Sequence, residues 1–256
     1  MREPVRALKD VIRRLCAGAF ALTLRLKSRR YGFPAGTTLV IAPHADDETL
    51  GCGGLIAAKR RRGQDVRVAF VTDSSGSHPG HPQFGADAIA ARRRGEALAA
   101  LAVVGVSAES VTFLDFPDAT LERFTAAENQ DVVRELAELI RATAAVEVFA
   151  PYRGDGNGEH AAVCRMAERA CRDCGLDTLY EYPVWAWWNP FRLRFRLGQP
   201  GNLHLRLGRL RALKRRALAC HRSQFEPLPP AAEPAVPPIL SRLCCGPTEF
   251  YFQTRL

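Results

Sequence analysis

From residue 37 onward the apolar and polar positions alternate between short hydrophobic runs and longer amphipathic ones. TTLVIA is followed by DETLGCGGLIAAKRRR, closed at Gly63, and DVRVAFVTD by ADAIAARRRGEALAALAVV. SVTFLDF then precedes LERFTAAENQDVVRELAELIRATA, and VEVFAPY precedes HAAVCRMAERACRDC. The short runs, rich in β-branched and aromatic residues, read as buried strands, and the longer runs as helices. Strands joined through helices need right-handed crossovers between parallel neighbours. The predicted fold is therefore α/β and Rossmann-like, a mostly parallel sheet with helices on both faces.

After TLYEYPVWAWW the period changes to two. FRLRFRL and NLHLRL flank the turn-forming GQPGN, which predicts a β-hairpin near 191–207. Phe191, Leu193, Phe195, Leu203 and Leu205 would share one face, and Arg192, Arg194, Arg196, His204 and Arg206 the other. A helix in RALKRRALACHRSQ, a proline-rich linker and a final strand in TEFYFQTRL follow, so a C-terminal hairpin and helix form an appendage. At the other end, residues 1–30 read as a basic amphipathic helix around an uncharged run, Leu15 to Leu24. That run is about half of a membrane span. Arg25, Lys27, Arg29 and Arg30 stand where a signal peptide would carry small residues. The segment thus reads as a helix lying at an interface or packed on the core. The division is a helical segment, 1–30, and a Rossmann-like domain, 31–256, with 191–216 as a basic insertion.

Composition adds compartment and charge. A chain of 256 residues, 47% hydrophobic, can bury one sizeable core. Its eight cysteines lack a disulfide framework, which points to a reducing, cytoplasmic setting. Cys171 and Cys174 have C-x-x-C spacing but sit in a helical run without a second pair. The net charge of +9 is uneven: residues 1–30 carry nine Lys/Arg against Glu3 and Asp10, and residues 192–216 carry nine with no acid. The remainder is acidic. No zinc-finger or RNP-like pattern accompanies the basic blocks, so no specific nucleic-acid partner is expected. They suit an anionic membrane, contacted peripherally on its inner face, or a phosphate-bearing substrate, and equally suit solvated arginine faces.

The chemistry gathers at strand ends, where open α/β sheets bind ligands. PHADDE, TDSSGSHPGH, DFPDAT and RGDGNGEH each follow a predicted strand. GCGG is no dinucleotide fingerprint, because Asp46, Asp47 and Glu48 occupy the place where a phosphate would sit. His44 and Asp47, three apart, can aim at one point, and His160 from a later loop can complete a three-ligand zinc site. Asp46 would then be a base for water activated by the metal. Glu48 caps the helix or supports these ligands. The spacing by itself is also that of an ordinary acidic helix N-terminus.

The run A-P-H-A-D-D-E-T-L-G-C-G-G resembles the P-H-x-D-D-E signature of the PIG-L/LmbE-like zinc-dependent N-deacetylases, which remove acetyl groups from N-acetylglucosaminyl compounds. R-R-G-E at 93–96, F-P-D at 116–118 and R-G-D-G-N-G-E-H at 153–160 follow in the family's order, with weaker likeness in AL-x-x-H-x-SQ at 217–224 and in the terminal EFYF. The resemblance implies His44, Asp47 and His160 as metal ligands and Asp46 as the general base. It also puts Arg93 near the substrate, Asp118 in the pocket, and Glu96 in support of its own segment. Arg93 and Glu96 also read as an ion-paired helix face, and Asp118 as a turn residue. The implied activity is deacetylation of an N-acetylglucosamine-type sugar, on a glycolipid, a lipid-linked saccharide or another glycoconjugate. In one place the chain departs from the pattern: Asn157 stands where the family commonly has a histidine. Asn157 donates a hydrogen bond but supplies no titrating proton. Either Asp46 returns the proton, or His78 or His81 reaches in, or the chain is a non-catalytic sugar- or metal-binding relative. Hydrolysis of another bond, such as a phosphoester, is a further reading, although phosphatases usually gather more metal ligands.

Overall fold

The computed structural model describes residues 3–256. In chain order its strands are β1 (Arg29–Arg30), β2 (Thr37–Ala42), β3 (Val66–Thr72), β4 (Val111–Phe116), β5 (Ala145–Pro151), β6 (Thr178–Tyr182), β7 (Asn202–Arg206) and β8 (Thr248–Arg255). Its helices are α1 (Glu3–Leu26), α2 (Asp47–Arg60), α3 (Ala86–Val103), α4 (Ala126–Ala142), α5 (Gly158–Asp173), α6 (Leu210–Leu218), α7 (Arg222–Phe225) and α8 (Pro238–Cys244). The strands form one sheet in the order β1-β7-β8-β6-β5-β2-β3-β4. From β4 to β6 every neighbour is parallel, whereas β8 runs antiparallel to β6 and β7. This is the mostly parallel α/β sheet that the sequence predicts.

Strand alternation builds two cores. Leu39 and Ile41 of β2, with Ala69 and Val71 of β3, pack against Val132 and Leu136 of α4 and Val163 and Ala167 of α5. Val40 and Ala42, with Val68 and Phe70, face Leu55 and Ile56 of α2, Leu101 of α3 and Leu218 of α6. Successive strand residues point to opposite faces, so both faces are covered by helices. Helix α4 starts in a reciprocal capping box between Thr125 and Glu128.

The predicted hairpin does not form. FRLRFRL lies in a 3₁₀ helix, Pro190–Arg196, and only NLHLR becomes a strand, paired with β8 and β1. Three residues per turn place Pro190 and Leu193 inward and leave Phe191 and Phe195 exposed. Proline at the first position presets the helical φ. The apolar β8, with Phe250, Tyr251 and Phe252 all buried, supplies the partner edge that the hairpin reading gave to FRLRFRL. The strand of the supposed appendage therefore continues the main sheet. Residues 29–30 join it too, and Ala17 and Leu24 of α1 are buried in the core shared with α2.

A candidate metal and acid-base centre at the switch point of the sheet

The chain leaves β2 toward β3 and β4, then returns to the opposite side of β2 as β5. Such a reversal opens a crevice between the carboxyl ends of the two central strands, here β2 and β5. The loop after β2 carries His44 and Asp46 and leads into Asp47 at the start of α2, and the loop after β5 carries Asp155 and Asn157 and leads into Glu159 and His160 in the first turn of α5. Between them lies a cavity of about 220 Å³, whose wall includes His44, Asp46, Asp47, Arg93, Asp118, Asn157 and Glu159.

One ligand atom each from His44, Asp47 and His160 lies within 4.8 Å of the others. His44 Nδ1 is 3.1 Å and His160 Nε2 3.2 Å from the same oxygen, Asp47 Oδ2. His160 is fully buried; its Nδ1 stands 2.8 Å from Asp155 Oδ2, and neither ring nitrogen meets its carboxylate at a hydrogen-bonding angle. Two imidazoles and a carboxylate around one point, one imidazole backed by a second carboxylate, are the donor set that suits zinc. Asp155 is itself fixed by the backbone N–H groups of Val184, Trp185 and Ala186. Without an ion, burial disfavours both charged partners, yet the two imidazoles hold Asp47 well below the usual carboxylate range, and His160 is pushed up to about 9, chiefly by Asp47.

Asp46 precedes α2 with φ of 153°, a region that L-residues avoid and that persists only where the surroundings enforce it. Its backbone N–H donates to Glu48 Oε2, and its Oδ1 accepts from Arg93 Nη2 at 3.2 Å. Burial, reinforced by the charge of Asp47 and opposed by Arg93, His221 and His44, raises its pKa to about 6. Arg93 also donates to the carbonyls of Ala45 and Ser74 and is 3% exposed, so its guanidinium braces Asp46. Glu96, one turn on, accepts from Ser223 and ties α3 to the chain around α7.

Asp118 reaches the same crevice, with Oδ1 3.2 Å from His44 Nε2 and Oδ2 accepting from Gly76 N–H. Asn157 caps α5, its side-chain oxygen accepting from the backbone N–H groups of Glu159 and His160. That use leaves its NH₂ as the polar group available to a ligand. Of the GSHPGH loop, Gly76 and Ser77 line the cavity, while His81 Nε2 pairs with the carbonyl of Pro229. Sequence reasoning gave no role to Glu159 or Asp155. Glu159 is 2.8 Å from His44 Nε2 and accepts from the N–H groups of Thr120 and Leu121, so with His44 and Asp118 it forms a second group able to hold a cation. The available signal was positional: both residues precede His160 within the glycine-rich run at a strand end, RGDGNGEH. Leu50, Trp185, Gln224, Ala235 and Val236 also line the wall; of these Leu50 and Gln224 fall in patterns read from the sequence, the A-P-H-A-D-D-E-T-L-G-C-G-G run and the SQ at 223–224.

The 2'-N-acetylparomamine deacetylase of Streptomyces fradiae is 32% identical over 170 residues, covering 62% of this chain and 58% of that protein. The chain thus spans less than two thirds of that relative. Among solved structures, a deacetylase triple mutant from the teicoplanin biosynthetic pathway superposes with a TM-score of 0.65 at 19% identity, covering 86% of this chain and 98% of the other. The N,N'-diacetylchitobiose deacetylase of Pyrococcus horikoshii gives 0.58 at 22% identity, covering 75% and 71%. At these identities the two structures speak for the fold. Residues 39–171, more than half of the chain and including His44, Asp46, Asp47, Asn157 and His160 of the crevice, match the family described as PIG-L, GlcNAc-PI de-N-acetylase, and the chain belongs to that family.

Proposed function

We propose that the protein is a metal-dependent amide hydrolase that removes the acetyl group from an N-acetylglucosamine-type amino sugar. The observation that carries this reading is the convergence of His44, Asp47 and His160 on one point, with a strained, raised-pKa Asp46 on the same cavity wall. The three residues fit zinc, which when bound polarises a carbonyl and lowers the pKa of a water to about 7. Asp155 orients His160, and Arg93 holds Asp46 in place. Asp46 takes a proton from the attacking water and returns it to the nitrogen as the C–N bond breaks, giving amine and acetate. A pKa of about 6 suits a group that must both accept and give a proton near neutrality. The NH₂ of Asn157 donates to the oxyanion in the position where the family commonly has a histidine. Basic segments at 1–30 and 192–216 support a sugar carried on a phosphate-bearing or lipid-linked aglycone at the cytoplasmic face.

Asp46→Asn tests the assignment: acetate release from N-acetylglucosaminyl substrates by the zinc-loaded protein should fall by about 10²- to 10⁴-fold, with zinc still bound. Unchanged turnover would refute the base. Stoichiometric zinc with no acetate release from any N-acetylamino sugar would make the chain a binding relative instead.

A further inference from the structure

Helix α1 is apolar on two faces, where a surface helix of a globular domain is apolar on one. Ala17 and Leu24 face the core, with Phe20 and Ala21 packed against it. On the opposite side Leu8, Val11, Ile12, Leu15, Leu22 and Leu26 are all exposed, between 45% and 74%. Their spacing puts them in one stripe along the helix, about 180° from the buried face. The 3₁₀ helix Pro190–Arg196 adds exposed aromatic rings beside α1: Phe191, 58% exposed, packs edge-on against Phe20 at the border of its core-facing side, and Phe195 is 64% exposed. Exposed aliphatic and aromatic side chains in such number mark a surface that is covered in use.

We propose that α1 and the Pro190–Arg196 turn dock the protein on an anionic lipid bilayer, α1 lying in the interface plane with its leucine stripe among the acyl chains. Charge selects this occupant over a second copy of the chain. Residues 11–30 contain Arg13, Arg14, Arg25, Lys27, Arg29 and Arg30 and no acid. Lys9, Arg14, Arg25 and Lys27 flank the stripe, and the exposed Arg192 and Arg194 flank the two phenylalanines. Pairing the stripe with itself would bring like charges together, whereas a leaflet of anionic headgroups neutralises them. No described helix is long and apolar enough to cross a membrane, so α1 lies on it. One flank of α1 overhangs a cavity of about 310 Å³ in which Ala17, Ala21, Leu22, Trp187 and Phe250 meet Arg14, Arg25 and Arg242, a setting for an acyl chain beside a phosphate. The surface also adjoins the catalytic crevice. Arg192 packs so closely on Gly156 that a Cβ there would strike its guanidinium, and the next residue, Asn157, lines the crevice.

Vesicle flotation of the full chain tests the proposal without reference to turnover. The protein should float with phosphatidylcholine vesicles containing phosphatidylglycerol and remain free with phosphatidylcholine alone. Leu15→Asp and Leu22→Asp should each weaken partitioning about tenfold or more, because a buried leucine is lost and a charge gained. Arg25→Gln should weaken it about fivefold and make it less salt-sensitive. All three positions are exposed, so thermal midpoints should stay at the wild-type value. Absence of flotation with anionic vesicles, or flotation indifferent to the leucine variants, would overturn the proposal. A dimer in solution that Leu15→Asp dissociates, with no vesicle binding, would assign the face to a second copy instead.

Discussion

In the proposed reaction Asn157 stands where the family commonly has a histidine. Its oxygen is committed to capping α5, and its NH₂ is the one donor it can offer a substrate. Asn157→Asp keeps the cap and removes the donor, so acetate release should fall by about 10²- to 10³-fold while the thermal midpoint holds. A full-rate Asn157→Asp would remove this residue from the mechanism. The grouping of His44, Asp47 and His160 was legible in the sequence, the first two because they lie three apart just past one strand end and His160 because it follows another. Glu159 was not, since its approach to His44 depends on how the loop after β4 folds over it through Thr120 and Leu121. Nor was the role of Arg93 as a brace for Asp46, because Arg93 and Glu96 read equally well as an ion-paired helix face.

At the scale of elements, α2 is the helix that carries Asp47, and buried polar groups fix it to its neighbours. Glu249 of β8 accepts from the N–H groups of Gly54 and Leu55, and Lys214 of α6 donates to both Glu249 and the carbonyl of Leu50. Gly54 of the GCGG run permits this contact, since a Cβ there would press on Leu207 and the Glu249 carboxylate. Lys214→Met leaves Glu249 buried and unpaired and should cost about 3–5 kcal/mol, read from urea unfolding. A second link has a pH signature. His221, fully buried before α7, has Nε2 3.4 Å from Glu48 Oε1. Burial disfavours its charged form, but Glu48 and Asp46 more than offset this and raise its pKa. Its stabilisation is therefore complete below the unfolded value of about 6.5 and fades as pH climbs through the raised folded value. The stability gap between wild type and His221→Gln should be widest at mildly acidic pH and shrink on the alkaline side; a gap that widens with pH would contradict this. The hairpin was misread at this scale because FRLRFRL satisfies a period of two as well as the period of three that Pro190 starts.

For the whole molecule, alternation of strand and helix specified the parallel sheet, and the sheet specified where a ligand site could be. What the alternation could not reveal is the strand order, which places β5 beside β2 and so brings His160 to Asp47 across the crevice. Because the ligands come from two loops more than a hundred residues apart, metal binding should stabilise the fold as a unit. Saturating zinc should raise the thermal midpoint of the wild type, by about 4 kcal/mol of stability at a thousandfold excess over Kd. His160→Ala should lose most of that rise.

The central claim is that this crevice hydrolyses an acetamide through a metal held by His44, Asp47 and His160. The most direct measurement is acetate and free-amine release from N-acetylglucosaminyl substrates by metal-stripped protein, before and after stoichiometric zinc is restored. Turnover should be absent from the stripped protein, return with zinc, and fail to return in Asp47→Ala or His160→Ala. Equal turnover with and without metal, or full recovery in either variant, would contradict it.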